Sequence, residues 1–250
     1  MWLRDRVAFI TGGTRGIGRA TALRFAAERP AHIALGYVLD HDAARATVAE
    51  VQALGVDAYA ICADVAHEDH LRCAFEQIAG RHGRLDVLVS NAARTSFGPL
   101  LDLTPRTWQR VLDLNARAFL IGAQLAADLM SDGGRIIALS SLGSRQCIPG
   151  YGALGSSKAL IESLVRYLAV ELAPRGIHVN GICGGLVDTG STRMLPDFSE
   201  AAAKVVARTP AGRIAQPDDI AAAIAMLCSA DANWICGQTI VADGGYSLQG

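Results

Sequence analysis

The chain has 250 residues, 51% of them hydrophobic, and its 23 basic and 24 acidic residues leave a net charge of −1. This length and apolar content suit one α/β domain with a buried parallel sheet, and the balanced charge argues against a nucleic-acid partner. Apolar stretches are too short for a signal peptide or a membrane span, so we expect a cytoplasmic protein with no membrane partner. The six cysteines lack paired spacing, which predicts reduced, mostly buried packing residues, with no disulfide and no metal site.

Strand-like apolar runs alternate with helical patterns along the chain. The runs predict strands at 7–11, 33–37, 58–62, 87–90, 135–139, 178–182 and 239–241. The intervening patterns predict helices at 17–28, 42–54, 68–81, 104–130, 156–173 and 218–228. Short connections between them predict a single domain with a Rossmann-type, doubly wound parallel sheet of seven strands. The one long irregular segment, 184–212, predicts a substrate lid at about 188–212.

A glycine-rich turn follows the first predicted strand, in Thr11-Gly12-Gly13-Thr14-Arg15-Gly16-Ile17-Gly18. Glycines at these spacings let the backbone turn tightly and approach a pyrophosphate, which then lies at the N-terminus of the next helix. The strand before the turn and the helix after it supply the context that a lone glycine triplet lacks, although a tight turn without a ligand remains an alternative. The predicted dinucleotide contacts in this turn are Gly12, Thr14, Arg15, Gly16, Ile17 and Gly18.

The chemical motif is a tyrosine and a lysine seven residues apart, Tyr151 and Lys158. Residues four and seven apart both return to about the same helix face, so the phenol and the ammonium share a side. Position 154, four residues before the lysine, holds a leucine, which has no proton to donate. At roughly 1.5 Å rise per residue, a helix reaching back to the tyrosine places it about 10 Å from the lysine along the axis.

In chain order these motifs resemble those of the short-chain dehydrogenase/reductase family. Asp64-Val65 ends the third strand, Ser90-Asn91-Ala92-Ala93 resembles the family's Asn-Asn-Ala-Gly run, and Ser141 lies 17 residues before Lys158. The resemblance implies that Asp64 and Val65 lie near the adenine and that Asn91 lies beside the cofactor. Taken singly, Asp64 and Asn91 are as typical of a helix cap or a turn.

The resemblance also implies roles around the reacting groups. Lys158 would hold the nicotinamide ribose and lower the phenol's pKa, Ser141 would support the reacting oxygen, and Asn115 would order a water in a proton relay. A packed aromatic residue and an ordinary surface lysine are the structural alternatives for Tyr151 and Lys158. Two glycines replace the family's Pro-Gly run after the sixth strand, and the cofactor contacts expected there are Gly185, Val187 and Thr189.

The displaced tyrosine bears on which bond is reduced. A carbonyl reductase needs its phenol beside the oxygen of the carbon that receives hydride, whereas an enoyl thioester reductase builds charge on an oxygen two carbons away. The Tyr151–Lys158 spacing resembles the enoyl-acyl-carrier-protein reductase branch, and Gly155-Ser156-Ser157-Lys158-Ala159 resembles its NADPH-dependent type III members. This resemblance implies reduction of the 2,3 double bond of an enoyl thioester on acyl carrier protein or coenzyme A. The alternatives are a carbonyl or 3-oxoacyl reductase, an alcohol dehydrogenase, and a non-catalytic cofactor-binding sensor.

The residues after the second strand bear on the coenzyme. A carboxylate there would bond the ribose 2′-hydroxyl of NADH and repel a 2′-phosphate, but Gly36 and Tyr37 carry none. Arg15, in the glycine-rich turn, can face the 2′-phosphate, so we predict NADPH. Leu39 and the nearby Asp40 leave NADH as the alternative.

Two apolar regions predict an oligomer. The helix predicted at 156–173 carries apolar residues on more than one face, and apolar and glycine residues continue through 234–248. Family members assemble through these two regions, so the resemblance implies a homotetramer, with a dimer as the alternative.

Overall fold

A computed structural model describes residues 3–131, 133–195 and 197–249, so five residues of the predicted domain (1, 2, 132, 196 and 250) lie outside it. Seven parallel strands form one sheet in the order β3-β2-β1-β4-β5-β6-β7. The strands are β1 (Val7–Thr11), β2 (His32–Tyr37), β3 (Asp57–Cys62), β4 (Val87–Ser90), β5 (Arg135–Ser141), β6 (His178–Gly184) and β7 (Thr239–Ala242). The predicted doubly wound sheet is confirmed. Its order reverses between β1 and β4, and a ligand crevice forms where the carboxyl ends of such strands diverge.

Helices cover both faces of the sheet. They are α1 (Gly16–Ala26), α2 (His41–Ala53), α3 (Glu68–His82), α4 (Pro105–Leu112), α5 (Ala118–Leu129), α6 (Gly152–Leu172), α7 (Phe198–Arg208) and α8 (Pro217–Cys228). Apolar side chains of α3, α5 and α6 form one core, and those of α1, α2 and α8 form the other. Continuous apolar runs such as β1, buried along its whole length, suit a strand covered on both sides. Among the described residues, no helix is long and apolar enough to cross a membrane.

The helix predicted at 104–130 is interrupted. Thr104 caps α4 through its side chain, and one turn of π-helix at Asp113–Arg117 separates α4 from α5. A π turn adds a residue to the helical repeat and is often found at functional sites. Here the extra residue lets Asn115 point into the protein, where it is almost fully buried.

The expectation of an irregular segment throughout 184–212 is wrong. The segment contains a 3₁₀ turn at Thr192–Met194 and the three-turn helix α7, none of whose residues is buried. Its half-buried residues Phe198, Ala201, Ala202 and Val205 recur at helical spacing, so the sequence did carry a signal for this helix, and the expectation overlooked it. The lid itself stays a prediction, and one of its residues, Pro196, lies outside the described part of the chain.

The cysteines are free but not mostly buried, which corrects the expectation. Cys62, Cys73 and Cys147 are exposed, whereas Cys183 and Cys228 are buried. Cys62 ends β3, the outermost strand of the sheet, where one side has no neighbouring strand. Burial raises the pKa of Cys183 to about 12, so this thiol stays protonated.

Candidate active site

The glycine-rich turn after β1 has the close backbone approaches that a phosphate cradle requires. Gly12 and Gly16 adopt positive φ angles of 61° and 52°. A Cβ atom added at Gly18 would lie 2.1 Å from the carbonyl oxygen of Gly12, so no larger residue fits there. The turn therefore leaves backbone N–H groups at the N-terminus of α1 open to a ligand, and these residues fit the pyrophosphate of a dinucleotide.

Asn91, which follows β4, holds this turn in place. Its side-chain amide donates to the carbonyl oxygens of Thr11 and Gly12, both at 2.9 Å. Its backbone N–H donates to the Thr11 hydroxyl at 3.0 Å. Asn91 thus joins the carboxyl ends of β1 and β4, the two strands that flank the crevice.

The other predicted cofactor residues of the turn have distinct environments. Thr14 is buried, and its carbonyl oxygen accepts from the Thr47 hydroxyl at 3.0 Å. Arg15 is exposed in the extended position just before α1, and its guanidinium makes no hydrogen bond to another described residue. Ile17 packs at the edge of the core, so its backbone rather than its side chain faces the turn.

The loop after β6 approaches the same turn. The Thr189 side chain lies 3.5 Å from the Cβ position of Gly16, which places this loop beside the cradle. The Thr192 hydroxyl donates to the Val187 carbonyl at 2.5 Å, and Gly185 N–H donates to the Ala242 carbonyl at 3.2 Å. The structure therefore brings the residues predicted after β1 and after β6 to one edge of the sheet.

Asp64 and Val65 lie between β3 and α3. The Asp64 carboxylate accepts from the Ala66 N–H at 3.0 Å, the turn-forming role that was the alternative reading of this residue. Val65 is buried in the core cluster beside α3. Their predicted contact with the adenine stays a prediction.

Tyr151 and Ser141 meet at the carboxyl end of β5. The phenol oxygen lies 3.2 Å from the Ser141 hydroxyl oxygen. Tyr151 immediately precedes α6, and its carbonyl oxygen accepts from the Gly155 N–H at 2.8 Å, so the helix does extend back to this residue. The Phe97 ring lies 6.0 Å from the Tyr151 ring, centroid to centroid. Phe97 comes from an irregular loop without a motif, so nothing in the sequence indicated its position.

Burial sets the protonation of the two reacting groups. It raises the pKa of the Tyr151 phenol, against the opposing effect of the hydrogen bond with Ser141, and Lys158 is not among the groups that shift it, so the expected lowering of this pKa by Lys158 is not found. The Lys158 side chain is buried in α6 and donates to the Leu139 carbonyl at 2.6 Å. Burial lowers the pKa of this ammonium to about 8, so the site holds a neutral phenol and an ammonium that readily loses its charge.

Leu154 occupies the helical position where most relatives carry their tyrosine, according to the family resemblance. Its side chain is 3% exposed and belongs to the buried face of α6. A packed apolar side chain therefore occupies the position of the usual tyrosine. Within the described residues, Tyr151 is the phenol that hydrogen-bonds Ser141.

Asn115 braces the loop after β4 against α6. Its side-chain oxygen accepts from the Arg94 N–H at 2.8 Å, and its amide donates to the Arg94 carbonyl at 3.2 Å and to the Ser157 hydroxyl at 2.9 Å. Ser157 directly precedes Lys158, so this residue does lie close to the reacting groups. Its predicted role in ordering a water stays a prediction, since the amide is engaged by protein.

Glu162 is a buried carboxylate that sequence analysis did not single out. It is 7% exposed and accepts hydrogen bonds from the hydroxyls of Ser140 and Ser144, at 2.7 and 2.6 Å, and from Arg145 Nε at 3.0 Å. A glutamate four residues after Lys158, on the same face of an apolar helix, was the available signal. Among the described residues, no cluster of His, Cys, Asp or Glu could hold a metal ion.

Comparison with known proteins agrees with this geometry. A sequence model described as enoyl-(acyl carrier protein) reductase matches residues 12–247. The chain is 44% identical to the 1-cyclohexenylcarbonyl-CoA reductase of Streptomyces collinus over 98% of this chain and 88% of that protein. It is 36% identical to a 3-oxoacyl-[acyl-carrier-protein] reductase of Staphylococcus aureus, over 96% and 98% of the two chains. A short-chain dehydrogenase of Burkholderia cenocepacia, solved with NADP, superposes with a TM-score of 0.92 at 36% identity, over 99% and 100% of the two chains.

A glycine cradle at the reversal point of a parallel sheet, a Tyr151–Ser141 hydroxyl pair and a buried Lys158 on the helix that directly follows the tyrosine, together with the matching family, define an oxidoreductase that uses a nicotinamide cofactor. The chain belongs to the short-chain dehydrogenase/reductase family and to its enoyl-reductase-like branch.

Proposed function

We propose that the protein reduces the 2,3 double bond of an enoyl thioester, with NADPH as coenzyme. The observation that carries the proposal is the position of the phenol. Tyr151, seven residues before Lys158, hydrogen-bonds Ser141, while the position four residues before the lysine is a packed leucine. The similarity to a reductase that acts on a cyclic enoyl-CoA supports the same chemistry.

The chain's own residues suit an oxyanion that forms away from the carbon receiving hydride. The nicotinamide, when bound, supplies hydride to C3 of the enoyl group. The hydroxyl oxygens of Tyr151 and Ser141 lie 3.2 Å apart. From this position the phenol would donate a hydrogen bond to the thioester oxygen, on which negative charge develops. Lys158, buried in α6 with its ammonium on the Leu139 carbonyl, would contribute positive charge on this side of the sheet, and a proton taken from water by C2 of the enolate would complete the reduction.

Two features of the chain and one structural relative support NADPH as the coenzyme. Arg15 extends into solvent beside the cradle without a protein partner among the described residues, so it is available to a 2′-phosphate. The Asp40 carboxylate caps α2 by accepting from the Ala43 N–H at 2.9 Å, which engages the acid nearest to that site. The structurally similar protein of Burkholderia cenocepacia was solved with NADP.

The carrier that the observations favour is coenzyme A, since the Streptomyces collinus relative is named for a CoA thioester. Acyl carrier protein is the alternative, given the description of the matching family.

The deciding experiment follows NADPH oxidation with crotonyl-CoA, 1-cyclohexenylcarbonyl-CoA and acetoacetyl-CoA, and with crotonyl acyl carrier protein. We expect turnover of the enoyl thioesters and at most slow turnover of acetoacetyl-CoA. Tyr151→Phe should lower kcat for the enoyl substrates by roughly 100-fold, while NADPH binding changes little. Faster reduction of acetoacetyl-CoA than of the enoyl thioesters would refute the proposal and favour a 3-oxoacyl reductase. NADPH binding without turnover of any substrate would favour a sensor.

A further inference from the structure

Glu162 lies behind the reacting groups, and the chemistry proposed above does not use it. Its carboxylate joins three parts of the molecule: the end of β5 through Ser140, the turn after β5 through Ser144 and Arg145, and its own helix α6. Arg145 continues the connection by donating to the Thr239 carbonyl of β7 at 3.3 Å. Removing a carboxylate from water is costly unless its oxygens are hydrogen-bonded, and both oxygens of Glu162 are.

The turn that Glu162 holds is a 3₁₀ turn, Leu142–Ser144. The Ser144 hydroxyl lies between two acceptors, the Glu162 carboxylate at 2.6 Å and the Ser141 carbonyl at 2.7 Å. Because Ser141 carries the hydroxyl that meets the phenol, a change at Glu162 acts on the backbone of that serine through one intervening side chain.

The same turn is the surface on which the Tyr151 ring lies. A Cβ atom added at Gly143 would lie 2.5 Å from Cδ1 and 2.7 Å from Cε1 of Tyr151. On its other side, a Cβ added at Gly155 of α6 would lie 2.4 Å from the Gly143 carbonyl oxygen. The tyrosine ring, the turn and the helix are thus packed with no spare space, so a shift of the turn must move the phenol.

We propose that Glu162 is a positioning residue, which fixes the turn 142–144 and thereby the distance between the Tyr151 phenol and the Ser141 hydroxyl. Hydrogen bonds to a charged group are shorter and stronger than those between neutral groups. The bonds to the Glu162 carboxylate therefore hold the turn in one position. The inference rests on the proposed function only in requiring that Tyr151 takes part in the reaction.

The test is a double-mutant cycle, because a positioning residue loses its effect when the residue it positions is absent. Glu162→Leu and Glu162→Gln are each made in the wild-type and the Tyr151→Phe backgrounds. Glu171→Gln, at an exposed position of the same helix, is the matched control. For each protein, kcat and KM are measured with the thioester that the wild type reduces fastest, and NADPH affinity is measured by fluorescence titration.

We expect Glu162→Leu to lower kcat roughly 10- to 100-fold in the wild-type background, the loss typical of a misplacement of about 1 Å. NADPH affinity should change less than about twofold, because the pyrophosphate cradle lies on other elements and Lys158, although on the same helix, donates to Leu139 and not to Glu162. Glu162→Gln should restore part of kcat, since its amide oxygen still accepts from Ser140 and Ser144. In the Tyr151→Phe background, the Glu162 substitutions should cost almost nothing further.

Equal losses of kcat in both backgrounds would overturn the proposal, because they would show that Glu162 acts on the fold as a whole. Loss of NADPH affinity in parallel with kcat would overturn it as well. If Glu162→Leu fails to fold, as judged by circular dichroism, Glu162→Gln and Ser144→Ala complete the cycle with the same expected result. A failure of the proposed function has a different signature, a preference of the wild type for acetoacetyl-CoA, and leaves the cycle interpretable.

Discussion

Lys158 is the group in the site whose charge depends most on pH near neutrality. Because burial lowers its pKa to about 8, the ammonium is lost as pH rises through that value, and with it the support that we propose it gives to the phenol. The raised pKa of Tyr151 keeps the phenol protonated there, so a decline in rate belongs to the lysine. We therefore expect the rate constant of a single turnover to be constant below pH 8 and to fall about tenfold per unit above it.

Stopped-flow measurements of NADPH oxidation between pH 6 and pH 10 check this expectation. Lys158→Arg is the control, since a guanidinium keeps its charge over this range and should remove the decline from whatever activity remains. A wild-type profile that stays flat to pH 10 would contradict the role given to the lysine charge.

At the residue scale, Arg15 is the residue that we expect to select NADPH over NADH. Arg15→Ala should weaken NADPH binding by roughly 1.5–3 kcal/mol and leave NADH binding nearly unchanged, because only NADPH carries the 2′-phosphate. Arg19→Ala is a matched control, since Arg19 is exposed one turn further along α1 and already pairs with Glu50. Titration of each protein with both coenzymes gives the comparison. Equal losses for NADPH and NADH would show that Arg15 supports the fold of the turn instead.

At the scale of elements, the turn 142–144 directly follows β5 and precedes α6 in the chain. Gly143→Ala places a methyl group 2.5 Å from the Tyr151 ring while leaving the backbone angles acceptable, because the φ of Gly143 is not in the left-handed region. We expect kcat to fall roughly 10- to 100-fold with little change in NADPH affinity.

Gly80→Ala is the control for this substitution. Gly80 lies within α3, and apart from its chain neighbours and the nearby backbone of that helix, no atom of the described residues lies within 4 Å of its Cβ position. The same steady-state assay applies to both variants. Unchanged turnover in Gly143→Ala would mean that the phenol tolerates displacement, against the geometry described here.

Strands were predicted more closely from the sequence than the elements around the site. Apolar runs bounded by turns located all seven strands within two residues at each end, because a strand in the middle of the sheet, such as β1, is buried on both faces and leaves a continuous apolar signal, and the half-exposed edge strands β3 and β7 still keep short apolar runs. The π turn at Asp113–Arg117 left no such signal, since its residues continue an ordinary helical pattern and the extra residue is needed only to bury Asn115. The start of α6 at Gly152 was also missed, because the glycines at 150, 152 and 155 resemble a loop.

The site residues also differ in how far the sequence indicated them. Tyr151, Lys158 and Ser141 could be found by their spacing, which the structure converts into a contact between two of them. For Glu162 the sequence offered only its place one turn after Lys158 on an apolar helix, while its partners Ser140 and Ser144 lie 22 and 18 residues away and required the coordinates. The position of Asp40 before α2 could be read in sequence, but its use as a helix cap required the coordinates.

At the scale of the whole molecule, exposed apolar residues support an assembly. Tyr167 and Val170 of α6 are exposed, the latter at 77%, and Trp234, after α8, is 99% exposed. Large apolar side chains in such positions are typical of surfaces buried between subunits. We propose a homotetramer, and light scattering at micromolar concentration should give four times the chain mass of 26.2 kDa.

Val170→Glu is expected to lower that mass, because a carboxylate would be buried without a partner. Lys204→Glu, on the exposed helix α7, is the control. A wild-type monomer with full activity would count against the assembly.

A pair of stacked histidines makes the stability of the molecule sensitive to acid. His82 of α3 stacks on His32 of β2, with ring centroids 4.1 Å apart, and its Nε2 lies 3.0 Å from the Tyr59 hydroxyl. Burial lowers the pKa of His82, and the neighbouring His32 and Arg81 lower it further. The imidazole of His82 therefore binds a proton more readily in the unfolded chain than in the folded protein. The contribution of neutral His82 to stability is complete above about pH 6.5 and is lost as the pH falls below that value.

Thermal unfolding at pH 7.5 and pH 5.5 measures this effect. When the pH is lowered from 7.5 to 5.5, the Tm of the wild type should fall further than that of His82→Gln, because a glutamine side chain does not take up a proton. His70→Gln, on the exposed side of α3, is the control and should behave like the wild type. Identical losses of Tm in wild type and His82→Gln would contradict the assignment.

The close fit of the Tyr151 ring on Gly143 has a consequence for how such an enzyme could have arisen. A Cβ atom at position 143 would lie 2.5 Å from the Tyr151 ring, so a tyrosine at 151 is compatible with glycine at 143 and strained with any larger residue there. We therefore expect a phenol at this position to occur together with that glycine. Aligned relatives should show the two positions varying together. A glycine eight residues before a tyrosine that itself precedes the lysine by seven would then mark this lineage in uncharacterised genomes.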